Sequence, residues 1–219
     1  MTKQDMKSAA SQRPADNAAD LSAGNFTSGD RDKFLQFVTE LFRRGEKLAY
    51  GKGQVSMCAH MLQTADLAAK EDASPALVVA ALLHDIGHFG TDYPLDFEDA
   101  RHAAMLAIEL DHCHEEVGAA VLKTYYGPEV TEPVRLHVPA KRYLCSVDAE
   151  YYDGLSETTR HTLRLQGGPM TPAESDAFAA QPFAEDATRL RRWDDLAMVA
   201  ERAVPDFDHY RGVLSSTMR

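Results

Sequence analysis

The sequence has few cysteines, and the three that it contains are too scattered to form a disulfide framework. They stand at Cys58, Cys113 and Cys145, without a Cys-x-x-Cys pair among them. An odd and sparse cysteine set is typical of proteins in a reducing compartment. The sequence therefore predicts a cytoplasmic protein rather than a secreted one held together by disulfides.

Basic residues are also in the minority. The chain carries 23 Lys and Arg residues against 34 Asp and Glu residues, which gives a formal net charge of -11. Nucleic-acid binding needs clustered positive charge, because contacts to the phosphate backbone supply much of the affinity. We therefore expect no nucleic-acid partner, although an acidic total still permits a local basic pocket for a small anion.

Long apolar runs are absent, since no stretch approaches the roughly 20 residues that a membrane-spanning helix requires. The N-terminus also lacks the apolar core of a signal peptide, so we expect no membrane partner. Residues 1–29 are rich in Ala, Ser, Asp, Asn and Gln, a composition that predicts a flexible tail. The remaining residues, 30–219, are enough for one domain with a hydrophobic core.

Alternating strand patterns are missing as well, and the apolar residues instead follow helical spacing. The first predicted helix, from residue 30, carries its apolar face at Phe34, Phe37, Val38, Leu41 and Phe42. Ser74-Pro75 and Thr171-Pro172 are each typical of a helix start, whereas Pro139 is predicted to separate two helices. The other predicted helices cover about residues 57–67, 75–85, 99–110, 114–125, 131–137, 139–152 and 185–204. The sequence therefore predicts an all-α fold, a single helical bundle.

The most informative polar feature is the pair His84-Asp85, which follows the apolar run 77–83. A histidine and a carboxylate at the end of a buried helix can bind a metal ion, and the two oxygens of Asp85 can bridge two ions. Helices of a bundle can direct such side chains toward one point, and imidazole with carboxylate suits iron, manganese or zinc rather than calcium. The same residue types recur at His60, His88, His114, His137 and Asp194.

A lone histidine is weak evidence, because most histidines are hydrogen-bonded core or surface residues. We therefore assign no role to His102, His161 and His209. His112 competes with His114 as a ligand. His114 is preferred because the small residues Gly118-Ala119 follow it and permit close helix packing beside a site.

The order His60, His84-Asp85 and Asp194 resembles the HD-domain superfamily of metal-dependent phosphohydrolases. Four stretches narrow this resemblance to the HD-domain mixed-valent di-iron oxygenases of the PhnZ/TmpB type, which cleave carbon–phosphorus bonds. The similarity covers about residues 50–203. The stretches read His84-Asp85-Ile86-Gly87-His88, His137-Val138-Pro139-Ala140-Lys141-Arg142-Tyr143-Leu144, Leu165-Gln166-Gly167-Gly168-Pro169-Met170 and Leu190-Arg191-Arg192-Trp193-Asp194-Asp195.

The resemblance implies two iron ions, one Fe(II) and one Fe(III), with dioxygen as the co-substrate. One iron is then expected on His60, His84, Asp85 and Asp194, and the other on Asp85, His114 and His137, so that Asp85 bridges them. The choice of Asp194 over Asp195 depends on the alignment of the Arg-Arg-Trp-Asp stretch. The number of chains in the functional protein stays open.

The resemblance also implies that the substrate is a small organophosphonate. Asp85 and His88 are then expected to be catalytic. The guanidinium of Arg191 and the ammonium of Lys141 suit a doubly charged anion. Without the resemblance, Lys141 and Arg191 would equally be assigned to solvated helix faces. The residues expected to contact the phosphonate group are His88, Lys141, Thr159, Thr162 and Arg191.

Tyr50 matches a tyrosine that serves as a lid in this family, and it begins a predicted flexible loop. The family glutamate that contacts a substrate ammonium would follow it, but that position here is Gly53, between Lys52 and Gln54. A primary ammonium needs hydrogen-bond acceptors, whereas a quaternary ammonium prefers aromatic faces. We therefore predict that (R)-1-hydroxy-2-(trimethylammonio)ethylphosphonate is the preferred substrate, giving glycine betaine and phosphate; the alternative is 2-amino-1-hydroxyethylphosphonate, giving glycine and phosphate. Candidates for the head-group pocket are Phe89, Asp92, Tyr93 and Phe97.

Three other functions compete with this one. A phosphohydrolase would use the same two metals to activate water. An oxygenase acting on a polyol would not need the anion pocket of Lys141 and Arg191. A non-catalytic binding module is disfavoured, because six converging ligands exceed what such a module needs.

Overall fold

The structure, a computed structural model, describes residues 28–45, 49–50, 55–89 and 113–219. The predicted all-α fold is confirmed, and the described chain adds only one antiparallel pair of two-residue strands, β1 (Ala49–Tyr50) and β2 (Val55–Ser56). No described helix is long and apolar enough to cross a membrane. The helices are α1 (Ser28–Gly45), α2 (Met57–Lys70), α3 (Pro75–Leu83), a short 3-10 helix (Ile86–Phe89), α4 (His114–Leu122), α5 (Pro128–Val147), α6 (Ala149–Gly154), α7 (Glu157–Leu165), α8 (Pro172–Ala179), α9 (Ala184–Leu196) and α10 (Phe207–Thr217).

Two helix starts form as the sequence predicts. Ser74 accepts a hydrogen bond from the backbone N–H of Leu77, and Pro75 occupies the first turn of α3. Thr171 and Glu174 form a capping box at the start of α8, in which each side chain bonds the other residue's backbone N–H. Most of the predicted tail and the predicted helix at residues 99–110 lie outside the described residues.

The predicted break at Pro139 is wrong. Helix α5 runs without interruption from Pro128 to Val147 and contains both Pro133 and Pro139. A proline inside a helix costs about 3 kcal/mol, whereas each fully buried aliphatic side chain contributes about 1.5–3 kcal/mol. Helix α5 packs against α3, α4 and α9, and this burial outweighs the cost of the prolines. Its buried aliphatic residues include Val130, Val134, Leu136, Val138 and Leu144.

The C-terminal part of the chain also differs from the prediction. Helix α9 ends at Leu196 rather than near residue 204, and α10 was not predicted. The backbone N–H of Ala197 turns back to the carbonyl of Asp194, which closes α9. Asp206 caps α10 by accepting from the N–H of His209, so Pro205-Asp206 was an available helix-start signal.

The hydrophobic core explains where the His-Asp pair lies. Every residue of α3 from Leu77 to Leu83 is buried, and the main core contains side chains from α1, α2, α4, α5, α9 and α10 around this helix. A helix that is apolar on all sides belongs in the interior. The residues that follow it, His84 and Asp85, therefore emerge at the centre of the bundle rather than at its surface.

Candidate metal centre

A close approach of two glycines fixes the turn that carries Asp85. A Cβ atom added at Gly87 would lie 1.9 Å from the carbonyl oxygen of His114 and 2.7 Å from the backbone nitrogen of Gly118. Any larger residue would push the 3-10 helix away from α4. Glycine at this position therefore allows Asp85 and His114 to lie side by side.

A first group of ligand atoms comes from α2, the end of α3 and α9. The Nε2 atoms of His60 and His84 lie 3.2 Å apart. Asp194 places Oδ1 3.1 Å from His60 Nε2 and 3.7 Å from His84 Nε2. All three residues are buried, and one ligand atom of each lies within 4.8 Å of the others, as a shared metal ion requires.

A second group lies beside the first and is built from Asp85, His114 and His137. The Nε2 atoms of His114 and His137 are 3.1 Å apart. Asp85 Oδ1 lies 3.4 Å from the first of these nitrogens and 3.9 Å from the second. These three residues also fall within 4.8 Å of one another.

Asp85 faces both groups with different oxygens. Its Oδ1 atom faces His114 and His137, whereas its Oδ2 atom lies 3.5 Å from His60 Nε2 and 3.4 Å from His84 Nε2. Asp85 is 1% exposed. The arrangement is that of a carboxylate that can bridge two metal ions.

The hydrogen bonds of the histidines show that the groups fit metal ions. The Nδ1 atoms of His60, His84 and His137 lie 3.1, 2.9 and 2.7 Å from the backbone carbonyls of residues 197, 81 and 134, so each Nδ1 carries the proton. The Nε2 atoms of His60 and His84 then face each other, so either a proton or a metal ion has to lie between them. Asp85 Oδ2 is buried and accepts no hydrogen bond from the described residues. Such a ligand set suits two first-row transition metals.

Burial and charge keep the second group in the form that binds metals. Burial, together with the charge of His84, lowers the pKa of His137 to about 3. Burial and the neighbouring His88 lower the pKa of His114 well below its usual value. Both imidazoles are therefore neutral at pH 7, and a neutral imidazole is the ligating form.

The first group holds positive charge more readily. Burial alone would lower the pKa of His84, but the charges of Asp85 and Asp194 outweigh it and raise the pKa to about 9. Burial would raise the pKa of Asp85, yet the surrounding histidines, His84 foremost, lower it below its ordinary range. The pocket is thus electrostatically suited to cations.

His88 lies against the second group. Its ring stacks on that of His114, with centroids 4.1 Å apart and planes at 14°, and its Nε2 lies 3.8 Å from Asp85 Oδ1. Burial lowers its pKa. The structure therefore gathers His88 with the six candidate ligands.

Lys141 and Thr162, two of the residues expected to bind the phosphonate, contact each other. Lys141 lies one helical turn after His137 on α5, is 3% exposed, and donates from Nζ to Thr162 Oγ1 at 3.3 Å. Thr159 instead faces the start of α7, where its hydroxyl lies 2.8 Å from that of Ser156. Lys141 thus holds a buried ammonium on the same helix as the candidate ligand His137.

Arg191 is engaged with two carboxylates. Its Nη1 lies 2.6 Å from Asp194 Oδ2, and its Nε and Nη2 bond both oxygens of Asp195. Burial alone would lower the pKa of Arg191, but the charges of Asp194 and Asp195 raise it well above its ordinary value. Asp195 therefore faces Arg191, and it is Asp194 that faces the histidines.

Two further contacts near the site were not predicted. Tyr151 on α6 donates a hydrogen bond from its hydroxyl to Asp195. Gln63 on α2 bonds both backbone groups of Val199 through its amide, at 2.9 and 3.1 Å, close to the Ala197 carbonyl that faces His60. The spacing of Arg191 and Asp195, four apart on a helix, was an available signal for their ion pair, whereas the contact of Tyr151 depends on how α6 packs.

Several expectations fall wholly or partly outside the described residues. Tyr50 lies in β1, where its backbone pairs with Val55, while the positions 51–54 that include Gly53 are outside. His112 is also outside, so the preference for His114 stays a prediction. Of the proposed head-group pocket only Phe89 is described, and it is buried in the hydrophobic core.

The chain is similar to known proteins over most of its length. The HD domain profile matches residues 57–198. A hydroxymethylphosphonate dioxygenase of Gimesia maris is 45% identical over 183 residues, which are 83% of this chain and 88% of the relative. A [1-hydroxy-2-(trimethylamino)ethyl]phosphonate dioxygenase (glycine-betaine-forming) of Leisingera caerulea is 37% identical over 182 residues, again 83% of this chain and 88% of the relative.

Proposed function

The chain belongs to the HD domain family, and from that premise we propose that it is a di-iron oxygenase that uses dioxygen to cleave the carbon–phosphorus bond of a hydroxyphosphonate. The observation that carries the proposal is the position of Asp85, with one oxygen toward each of two histidine-containing groups. Iron is proposed because imidazole and carboxylate ligands suit it and because the two relatives are named dioxygenases.

In this proposal His60, His84 and Asp194 hold one iron, His114 and His137 hold the other, and Asp85 bridges them. When bound, the irons would supply Lewis-acid activation of the substrate and would relay electrons from the substrate to dioxygen. Beside them, His88 is neutral at pH 7 because burial lowers its pKa. Its imidazole can therefore accept a proton from a substrate oxygen.

We assign the phosphonate group to Lys141, Thr162, Thr159 and Arg191, with His88 at its edge. The two carboxylates beside Arg191 already balance its charge. Lys141 then supplies most of the net positive charge that attracts the anion.

Replacing Lys141 by methionine should raise KM for the phosphonate more than tenfold while both metals are retained. Methionine keeps the buried stem, so the change removes only the ammonium, and losing a charge-assisted hydrogen bond costs about 1.5–3 kcal/mol. Steady-state kinetics and metal analysis of the same sample measure both effects. The exposed Lys123, replaced in the same way, is the matched control; an unchanged KM in Lys141→Met would return Lys141 to a structural role.

For the substrate itself we favour hydroxymethylphosphonate. Gly53 offers no carboxylate to a substrate ammonium, and a substrate without an amine needs none. Phe89 is 1% exposed and packs in the core, which leaves it unsuited to an aromatic pocket for a quaternary ammonium. The relative named hydroxymethylphosphonate dioxygenase is also 45% identical to this chain, whereas the glycine-betaine-forming relative is 37% identical. The reaction would join one dioxygen to one substrate and give formate and phosphate.

The second candidate substrate is 1-hydroxy-2-(trimethylammonio)ethylphosphonate, which would give glycine betaine and phosphate. It is supported by the 37% identical glycine-betaine-forming relative and by the same Gly53, since a quaternary ammonium has no N–H to satisfy. The primary amine 2-amino-1-hydroxyethylphosphonate is disfavoured, because its ammonium would lose hydrogen bonds to water without gaining a carboxylate.

The experiment is to compare phosphate release from all three compounds under air and under nitrogen, with the iron-loaded protein. We expect the highest kcat/KM for hydroxymethylphosphonate, one dioxygen consumed per phosphate, and no release without oxygen. A higher kcat/KM for the trimethylammonium compound would identify the second candidate as the preferred substrate. Release of phosphate from these compounds under nitrogen would exclude the oxygenase and favour a phosphohydrolase.

A further inference from the structure

A chain of polar contacts connects α6 to the candidate ligand Asp194. The Tyr151 hydroxyl donates to Asp195 Oδ2 and lies 3.4 Å from Arg191 Nε. Arg191 Nε donates to the same Asp195 oxygen at 3.1 Å, and Arg191 Nη2 donates to the other oxygen, Oδ1. Arg191 Nη1 then reaches Asp194 Oδ2 at 2.6 Å.

The far end of this chain is where a metal would bind. Asp194 gives Oδ2 to Arg191 and keeps Oδ1 toward His60 and His84. Arg191 and Asp194 are 8% and 6% exposed, so solvent screens their interaction little. A guanidinium free to rotate could cover both oxygens of Asp194 and compete with a cation.

Helix α6 holds Tyr151 at the near end. Asp148 caps α6 by accepting from the Tyr151 N–H, and its other oxygen lies 2.9 Å from Arg192 Nη2 on α9. The Arg192 guanidinium also lies over the Tyr151 ring, 5.7 Å from its centroid. The hydroxyl of Tyr151 is therefore fixed relative to α9, which carries Arg191, Asp194 and Asp195.

We propose that Tyr151 and Asp195 are positioning residues that fix the Arg191 guanidinium and thereby keep one oxygen of Asp194 available to a metal ion. The proposal rests on the proposed metal centre. Asp195 grips two nitrogens of the guanidinium in a fork, and its negative charge offsets that of Arg191 beside the cation site. Tyr151 orients Asp195. Residues that orient metal ligands in this way tune metal affinity without touching the metal.

The test is an anaerobic titration of the apoprotein with Fe(II) alone, in competition with a chelator, for wild type, Tyr151→Phe and Asp195→Asn. We expect one of the two metal equivalents to bind about tenfold to a hundredfold more weakly in the variants, with the larger effect in Asp195→Asn because the charge is also lost. The other equivalent should keep its affinity. In the iron-loaded variants, KM for the phosphonate should change less than the metal affinity does.

Tyr152→Phe is the matched control, since it removes a hydroxyl from the neighbouring, exposed position of the same helix and should bind both equivalents as wild type does. Wild-type affinity for both equivalents in Tyr151→Phe and Asp195→Asn would overturn the proposal. If Asp195→Asn does not fold, Tyr151→Phe, which removes one oxygen atom, decides alone. Binding of fewer than two equivalents by the wild type would instead contradict the metal centre itself.

Discussion

Replacing Asp85 by alanine should remove both metals from the protein and reduce turnover to background. One oxygen of this carboxylate faces each of the two ligand groups, so a single substitution would take a ligand from both ions. It also removes the negative charge that offsets two cations in a buried pocket, where screening by water is weak. Elemental analysis of the purified variant, with phosphate release as the second measurement, checks the expectation.

The matched control for this variant is Asp66→Ala. Asp66 is another buried carboxylate, but it pairs with Lys70 on the same helix at 2.6 Å. The Asp66→Ala variant should therefore keep two metals per chain even if its stability falls. Asp85→Asn preserves the side-chain volume and separates loss of the bridge from loss of packing. Near-stoichiometric iron in Asp85→Ala would contradict the assignment of the bridging ligand.

Replacing Gly87 by alanine should both destabilise the protein and weaken metal binding on His114. The added Cβ would lie 1.9 Å from the His114 carbonyl oxygen, a backbone atom that cannot rotate away. Overpacking a tight interior usually costs about 1–3 kcal/mol, and we expect the upper end of that range in the free energy of unfolding. Because relief requires α4 to move, the distance between His114 and Asp85 should grow. Denaturant unfolding and metal titration measure the two effects.

Two other glycines calibrate this result. Gly118 lies on the opposite side of the same contact, but a Cβ there would meet Gly87 nitrogen only at 3.3 Å, so Gly118→Ala should cost less. Gly212 lies within α10 with open space around it, and Gly212→Ala should stabilise the protein by about 0.5–1 kcal/mol. If Gly87→Ala unfolds at the same denaturant concentration as wild type, the close approach is not a constraint.

Most of the fold followed from local patterns. The apolar run 77–83 and the cap at Ser74 predicted α3 and its burial, and the prediction of a helix around His60 was confirmed. The helix break at Pro139 was predicted wrongly because the effect of a proline on a helix is local. The burial that outweighs this effect comes from helices that are distant in sequence. The missed helix α10 had its cap in the sequence at Asp206.

The candidate site was predictable to a different extent. The pattern of His and Asp residues predicted the candidate ligands. It did not predict which oxygen of Asp85 faces which histidines, because that depends on the packing of α2, α3, α4, α5 and α9. Arg191 was expected to bind the substrate, although its spacing from Asp194 and Asp195 on one helix already indicated the ion pairs that the structure shows. Tyr151 had no sequence signal, because its contact depends on an approach between helices that no periodicity encodes.

The spread of the ligand residues along the chain has a consequence for folding. The six candidate ligands begin at His60 on α2 and end at Asp194 on α9, so two bound ions would cross-link most of the domain. These long loops are closed only in the native state, and a ligand that binds only that state stabilises it by about 4 kcal/mol at a thousand times its dissociation constant. Iron supply would then govern how long the protein survives in its folded form, as well as how fast it turns over.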